Sequence, residues 1–154
     1  MKSLIIIVCT VLLICTGCSG RISKGKNEIV NVEAYTIENC INEFSQEDAK
    51  ETKKGWAYWH VPRDISPTFN FKVSHVGPLT ANHAAHTHEE EEIFYILEGT
   101  AAYSFNGETK IVGPKSTMFC PSGTPHGISN ASDKPLTYAV IKANYPKGID
   151  SAAK

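Results

Sequence analysis

Arginine is almost missing from this chain: Arg21 and Arg63 are the only two in 154 residues, so a planar, bidentate partner for a carboxylate is available in the folded part at Arg63 alone. Excess charge is missing too. With 15 basic and 16 acidic side chains the formal net charge is −1, which excludes the basic footprint of a nucleic-acid binder or of a protein held to an anionic membrane surface. The longest apolar run, Leu4 to Ile14, is shorter than the roughly 20 residues a membrane-spanning helix needs. Internal repeats, low-complexity blocks and sustained helical periods are also lacking, which argues against a solenoid or a helical bundle. What length remains suits a single domain with a real core.

The N-terminus reads as an address. Lys2 and then Leu4 to Ile14 have the charged start and apolar run of a secretory signal peptide, expected over residues 1–17. The following Cys15-Thr-Gly-Cys18-Ser19 resembles a bacterial lipoprotein signal, and the resemblance implies that Cys18 is lipidated and becomes the mature N-terminus. Cys15 stands where that pattern has an aliphatic residue, so cleavage elsewhere or an uncleaved anchor is the alternative. Ser19 in place of the aspartate that usually signals inner-membrane retention points to the outer membrane, if the host has two. Residues 18–27, polar and rich in Ser, Gly and Lys, read as the tether.

Of the five cysteines only Cys40 and Cys120 would remain in the exported domain. Export permits a disulfide between them, but their separation in sequence gives no sign of proximity, and two unpaired, buried thiols are expected.

Beyond the tether, short alternating stretches separated by turn signals predict an all-β domain. Residues 28–54 supply a strand candidate, Glu28 to Tyr35, and a polar stretch, Asn39 to Lys54, read as one helical turn or a mobile flap. A barrel is expected over 55–145 and a tail over 146–154. Strands are predicted at Gly55 to Val61, Phe69 to Val76, Ile93 to Leu97, Ala101 to Phe105, Glu108 to Val112, Thr117 to Cys120 and Leu136 to Ala143. Asn106-Gly107 is the strongest hairpin signal, because both central positions of that turn need positive φ. Eight to ten short, evenly spaced strands suggest a barrel or a double-sheet jelly roll.

Chemistry concentrates in two places. His86-Thr-His88 has alternate imidazoles that point one way on an extended chain, and Glu92 can join them if the acidic residues between form a bend. The turn Pro121-Ser-Gly123-Thr-Pro then delivers His126. Three imidazoles and one carboxylate form a mixed nitrogen and oxygen set suited to a divalent first-row transition metal, with room for water or substrate.

These residues are similar to the two motifs of the cupin family. His86, His88, Glu92 and Gly99 match the first, with Thr80 where its opening glycine stands. Pro121, Gly123, His126 and Asn130 match the second, with Lys115 where its opening glycine stands. The resemblance implies a jelly-roll β-barrel with His86, His88, Glu92 and His126 converging on one metal in the barrel mouth. Manganese or iron is expected first, then zinc or nickel. Asn130 and the Pro121 turn are expected to be structural.

Around that set, Tyr58, His60 and Tyr103 are candidate proton donors if their faces prove interior, and His75 is a core or pocket-lining histidine shared with Phe69, Phe71 and Val73. His83 is read as a loop or surface residue, and Glu89 to Glu91 as a solvated acidic turn. Two functions stay open: a metal-dependent enzyme on a small oxygen-rich substrate (sugar or uronate isomerase or lyase, or dioxygenase), and a non-catalytic metal or small-ligand binding module at the cell surface. Small molecules are the expected partners, the membrane is reached through the lipid anchor alone, and a homodimer is left open by the resemblance.

Overall fold

A computed structural model of the protein describes residues 35–144. The signal peptide, Cys18, the tether, the predicted strand short of Tyr35 and the tail from 146 lie outside the described residues. Element order is α1 (Ile37–Cys40), β1 (Lys50–Thr52), β2 (Gly55–Val61), β3 (Phe69–Val76), β4 (Glu92–Glu98), β5 (Ala101–Phe105), β6 (Glu108–Val112), β7 (Thr117–Cys120), β8 (His126–Asn130) and β9 (Leu136–Ala143). Six strands form one antiparallel sheet in the order β1-β2-β3-β9-β4-β7, and three form a second in the order β6-β5-β8. The all-β expectation holds, with one turn of helix, Ile37–Cys40, that only overlaps the start of the predicted polar stretch, whose far end instead forms β1.

Strand parity and register together fix the inside. Leu136, Tyr138 and Val140 on β9 sit opposite Val76, Ser74 and Lys72 on β3, and Tyr138 and Val140 oppose Ile96 and Phe94 on β4. Successive residues of a strand point to opposite faces, so these share one concave face. From the smaller sheet Ala101, Tyr103 and Ile128 close over it, and together they make the buried core. Full burial of each large aliphatic side chain contributes about 1.5–3 kcal/mol.

On β3 the apolar alternation misleads. The buried positions are Asn70, Ser74 and Val76, while Phe69 is exposed and Phe71, Val73 and His75 lie on the outer face. There a strap formed by residues 42–44 partly covers them. Phe44 packs on Trp56 and Tyr58, and Trp56 stacks on His75. The Asn42 amide donates to the carbonyls of Trp59 and His60, while the Tyr58 hydroxyl donates to the Glu43 carbonyl at 2.7 Å.

Turn chemistry is met where it is needed. Asn106 and Gly107 both have positive φ in the β5–β6 hairpin. Gly99 has φ +90°, and a Cβ there would lie 2.5 Å from the Pro135 carbonyl oxygen, so only glycine fits. Lys115, in the position of a motif glycine, takes the glycine's conformation with φ 68°. Thr80 has no positive φ; its carbonyl accepts from the Asn130 N–H at 2.8 Å. Asn130 itself is a buried clasp: its amide donates to the carbonyls of Gly77 and Lys134, and its Oδ1 accepts from Ser132 N–H and Oγ–H.

Two stability outcomes are expected from urea titrations. Asn130→Ala leaves two carbonyls and two Ser132 donors without their partner and should destabilise by about 2–3 kcal/mol. Lys115→Gly should stabilise by about 0.5–1 kcal/mol, because relief of about 1–2 kcal/mol of left-handed strain exceeds glycine's added unfolded-state entropy.

Candidate metal centre

The site is assembled by main-chain pairing between distant segments. His86 and His126 form an isolated antiparallel bridge and exchange both hydrogen bonds, each at 2.9 Å. Gly123 N–H, in the turn before β8, donates to the His88 carbonyl at 2.9 Å. His86 and His88 therefore keep the extended geometry that turns both rings one way. The chain then bends at Glu89 and Glu90, and β4 begins at Glu92. The predicted bend thus returns the carboxylate to the histidines.

His86, His88 and His126 offer ring nitrogens that all lie within 4.8 Å of one another, a group that can hold a metal ion. Glu92 Oε2 lies 3.0 Å from His126 Nε2 and 3.3 Å from His88 Nε2. Glu92 and His126 are both buried.

The outer nitrogens decide what these contacts mean. His126 Nδ1 faces the Thr124 carbonyl at 2.9 Å and His86 Nδ1 the Ala84 carbonyl at 3.3 Å. A carbonyl only accepts, so each Nδ1 carries a proton and each ring turns its Nε2 inward. At His126 that inward nitrogen meets a carboxylate oxygen at 3.0 Å. A cation shared between the two accounts for the contact, either a second proton on the ring or a metal ion. The same three imidazoles and carboxylate would hold a divalent ion. Holding the outer nitrogen on a carbonyl is also how proteins orient histidine ligands.

The acidic turn is only partly solvated. Glu90 Oε1 pairs with Arg63 Nη2, and its Oε2 with Lys142 Nζ, both at 3.5 Å. The same Oε2 lies 3.5 Å from His88 Nδ1, which is buried and makes no hydrogen bond. Partial burial works to raise the Glu90 pKa, but the backbone hydrogen bond and the Lys142 charge outweigh it, and the carboxyl titrates below its ordinary range. Burial, and then the neighbouring His83 ring, lower the pKa of His86.

Of the proton-transfer candidates, Tyr103 alone points into the barrel. It packs against Phe94, and burial, with Cys120 and Glu92 nearby, pushes its phenol up to about 12. Tyr58, His60 and His75 lie on the outer face. Tyr58 is held by the strap, His60 stacks on Phe71 and His75 bonds to the Thr137 hydroxyl at 3.0 Å. Their strand parity, opposite to Ala57 and Ser74, keeps them from the histidines. Arg63 is largely exposed and reaches the site only through Glu90. His83 is an exposed loop residue whose ring packs edge-on to His86 at 4.5 Å.

Three residues near the site, Lys72, Lys142 and Asn70, were not singled out from the sequence, and Cys120 was read there only as a buried thiol. All lie on the inner face of the larger sheet. Cys120 opposes Glu92 across β7 and β4, as does Lys142 across β9. Period-two alternation marks Asn70, Lys72 and Ser74 as one face, yet only the register with β9 shows that this polar face is inside.

Comparison with known proteins agrees with this fold. Residues 73–142 match the family model of the cupin domain, and the fold is the cupin jelly roll. An uncharacterized protein of Methanocaldococcus jannaschii is 37% identical over 71 residues, 46% of this chain and 54% of its own length, so the chain spans about half of that relative. Among solved structures, a predicted oxalate decarboxylase of Thermotoga maritima aligns with TM-score 0.55 at 22% identity, over 58% of this chain and 80% of its own. The polyketide cyclase RemF of Streptomyces resistomycificus aligns with TM-score 0.58 at 23% identity, over 68% and 80%.

The two remaining thiols are free and differ in setting: Cys40 is exposed, contrary to the expectation of two buried thiols, and Cys120 is buried. Burial and the Glu92 charge push the Cys120 thiol up to about 11. Iodoacetamide at pH 8 should therefore alkylate Cys40 in the native protein and spare Cys120, with both modified in urea, as read by peptide mass spectrometry. Equal native rates would show that Cys120 is accessible.

Proposed function

We propose that the protein binds one divalent transition metal through His86, His88, His126 and Glu92 and is a metal-dependent enzyme acting on a small, oxygen-rich molecule. The observation that carries the metal is the convergence of three imidazole nitrogens within 4.8 Å of one another, with a carboxylate oxygen 3.0 Å from one of them. Manganese or iron, then zinc or nickel, suit a donor set of three imidazoles and a carboxylate. Such an ion supplies Lewis acidity toward a substrate oxygen and lowers the pKa of bound water. The protein's own part is to hold the four donors, to keep the His86 and His126 rings in one tautomer, and to line the approach with aromatic and cationic side chains. Isomerase, lyase and dioxygenase chemistry on sugars, uronates or related compounds are the reactions in view. The T. maritima and Streptomyces proteins are described as a predicted oxalate decarboxylase and a polyketide cyclase, which is consistent with small oxygenated substrates on this fold.

One observation favours the second reading, a non-catalytic binding module. Among the described residues few interior groups suit proton transfer at neutral pH, because burial pushes the Tyr103 phenol up to about 12 and Tyr58, His60 and His75 face away. Turnover separates the two readings: an enzyme loses rate when His126 becomes alanine, and a binder loses only affinity.

We place the protein outside the cytoplasm, tethered through lipidated Cys18, on the strength of the N-terminal pattern. Exposed apolar residues on the outer face of the larger sheet, Tyr95, Leu97, Phe119 and Ile141, support the homodimer expectation.

Elemental analysis of protein purified without added metal should give close to one equivalent of a transition metal. For metal-stripped protein, restoring the ion at 100 times its Kd should stabilise the fold by about 2.7 kcal/mol, and His126→Ala should abolish the gain. Less than about a tenth of an equivalent, with no stabilisation by manganese, iron, zinc or nickel, would sink the metal reading.

A further inference from the structure

The inner face beside the histidines carries two lysines, one of which has no ion-pair partner among the described residues. Lys142 stands opposite Glu92 on β4 and opposite Asn70 on β3, and Lys72 follows two residues along β3 from Asn70. Neighbouring strands are about 4.8 Å apart and diagonal neighbours about 7–8 Å, so both ammonium stems rise from the floor beside the metal donors. Both lysines are substantially covered; the Lys142 side chain is 20% exposed. Covered lysines ordinarily have a counter-charge.

The nearby carboxylates are committed elsewhere. Glu92 is taken by His88 and His126. Glu90 is shared between Arg63 and Lys142. Lys72 forms no ion pair among the described residues; its Nζ lies over the Trp59 ring, 5.1 Å from the centroid. Burial, together with the Lys142 charge, lowers the Lys72 pKa despite the attraction of Glu92. Arg63 and Lys142 thus share one carboxylate and Lys72 is left without one at ion-pair distance among the described residues, and a divalent ion would add further positive charge. Buried Phe94 on the same face and Tyr103 from the opposing sheet make the interior side weakly polar, where a charge–charge interaction is felt more strongly than in water, while Trp59 is 38% exposed and leaves the Lys72 side open to solvent.

We propose that Lys72, with Lys142 beside it, forms an anion subsite that takes the carboxylate of a small organic acid whose other oxygens face the histidine and Glu92 donors. The subsite deepens the metal-dependent reading and rests on it for the placement of those other oxygens. Carboxylate is favoured over phosphate because no helix N-terminus or run of glycine N–H groups faces the lysines among the described residues. Arg63, the sequence's own candidate for this role, is already paired with Glu90 and largely exposed.

The test is calorimetric titration of the full chain, loaded with manganese and again after chelation, using malonate, its uncharged diamide and inorganic phosphate. Malonate should bind at least about tenfold more tightly than the diamide. Lys72→Met should weaken malonate binding about tenfold and leave the diamide unchanged, while Lys72→Arg should retain most of the affinity. Equal malonate affinity in wild type and Lys72→Met, no preference over the diamide, or phosphate bound as tightly as malonate would each overturn the proposal. If Lys72→Met does not fold, reductive methylation of the wild-type chain decides. Protection of Lys72 by malonate supports the subsite, and equal labelling with and without malonate removes it. Lysine-dependent malonate binding in a chain that takes up no metal would sink the metal reading alone. Normal metal uptake with malonate indifferent to Lys72 would sink the subsite alone.

Discussion

The site depends on one backbone bridge. His86 and His126, forty residues apart in sequence, exchange two main-chain hydrogen bonds of 2.9 Å each. That exchange places one histidine from each motif face to face before any side chain is considered. The Gly123 N–H on the His88 carbonyl extends the same pairing by a further contact. The rings are then turned by carbonyls, Ala84 for His86 and Thr124 for His126. Three of the four donors are thus positioned through main-chain hydrogen bonds, and Glu92 arrives because β4 starts where the acidic bend ends.

This constraint divides the barrel interior. Toward one end lie Ile96, Leu136, Val76 and Ala101, all essentially sealed from solvent. Toward the other, the same face turns polar with Glu92, Asn70, Lys142 and Lys72, and the smaller sheet contributes buried His126. Charges so placed need partners, and the structure supplies them unevenly. Glu90 serves Arg63 and Lys142 and lies beside His88, whereas Lys72 has an aromatic ring and no carboxylate at ion-pair distance among the described residues. The mismatch is what supports the proposed pairing of an added cation and an added anion at the mouth of the barrel.

Most strands were legible because their signals are local. Gly55–Val61, Phe69–Val76, Ala101–Phe105, Glu108–Val112, Thr117–Cys120 and Leu136–Ala143 have the bounds that alternation and turn residues predict, and the Asn106-Gly107 hairpin has the positive φ it requires. Two strands escaped. β8 carries a motif histidine, two small residues and an asparagine, with too little β-branched or aromatic character to stand out, and β1 has three exposed polar residues whose strand state comes from pairing with β2. Lys115 shows a further limit. A lysine is a poor predictor of left-handed backbone, yet the turn between β6 and β7 imposes that conformation on it.

By itself the sequence determined the donor types, their spacing and the all-β pattern, since these follow from side-chain chemistry and from the period-two geometry of extended chain. It also carried the N-terminal address pattern. Only the tertiary structure decided sidedness. Phe69, Phe71 and His75 alternate as convincingly as any core strand, but pairing of β3 with β9 turns Asn70, Lys72 and Ser74 inward instead. The reason is that parity within a strand is a local property, whereas which parity faces the core is set by the neighbour across the ladder. Lys72 and Lys142 acquired their place beside the histidines by that route, and Tyr58, His60 and His75 lost theirs.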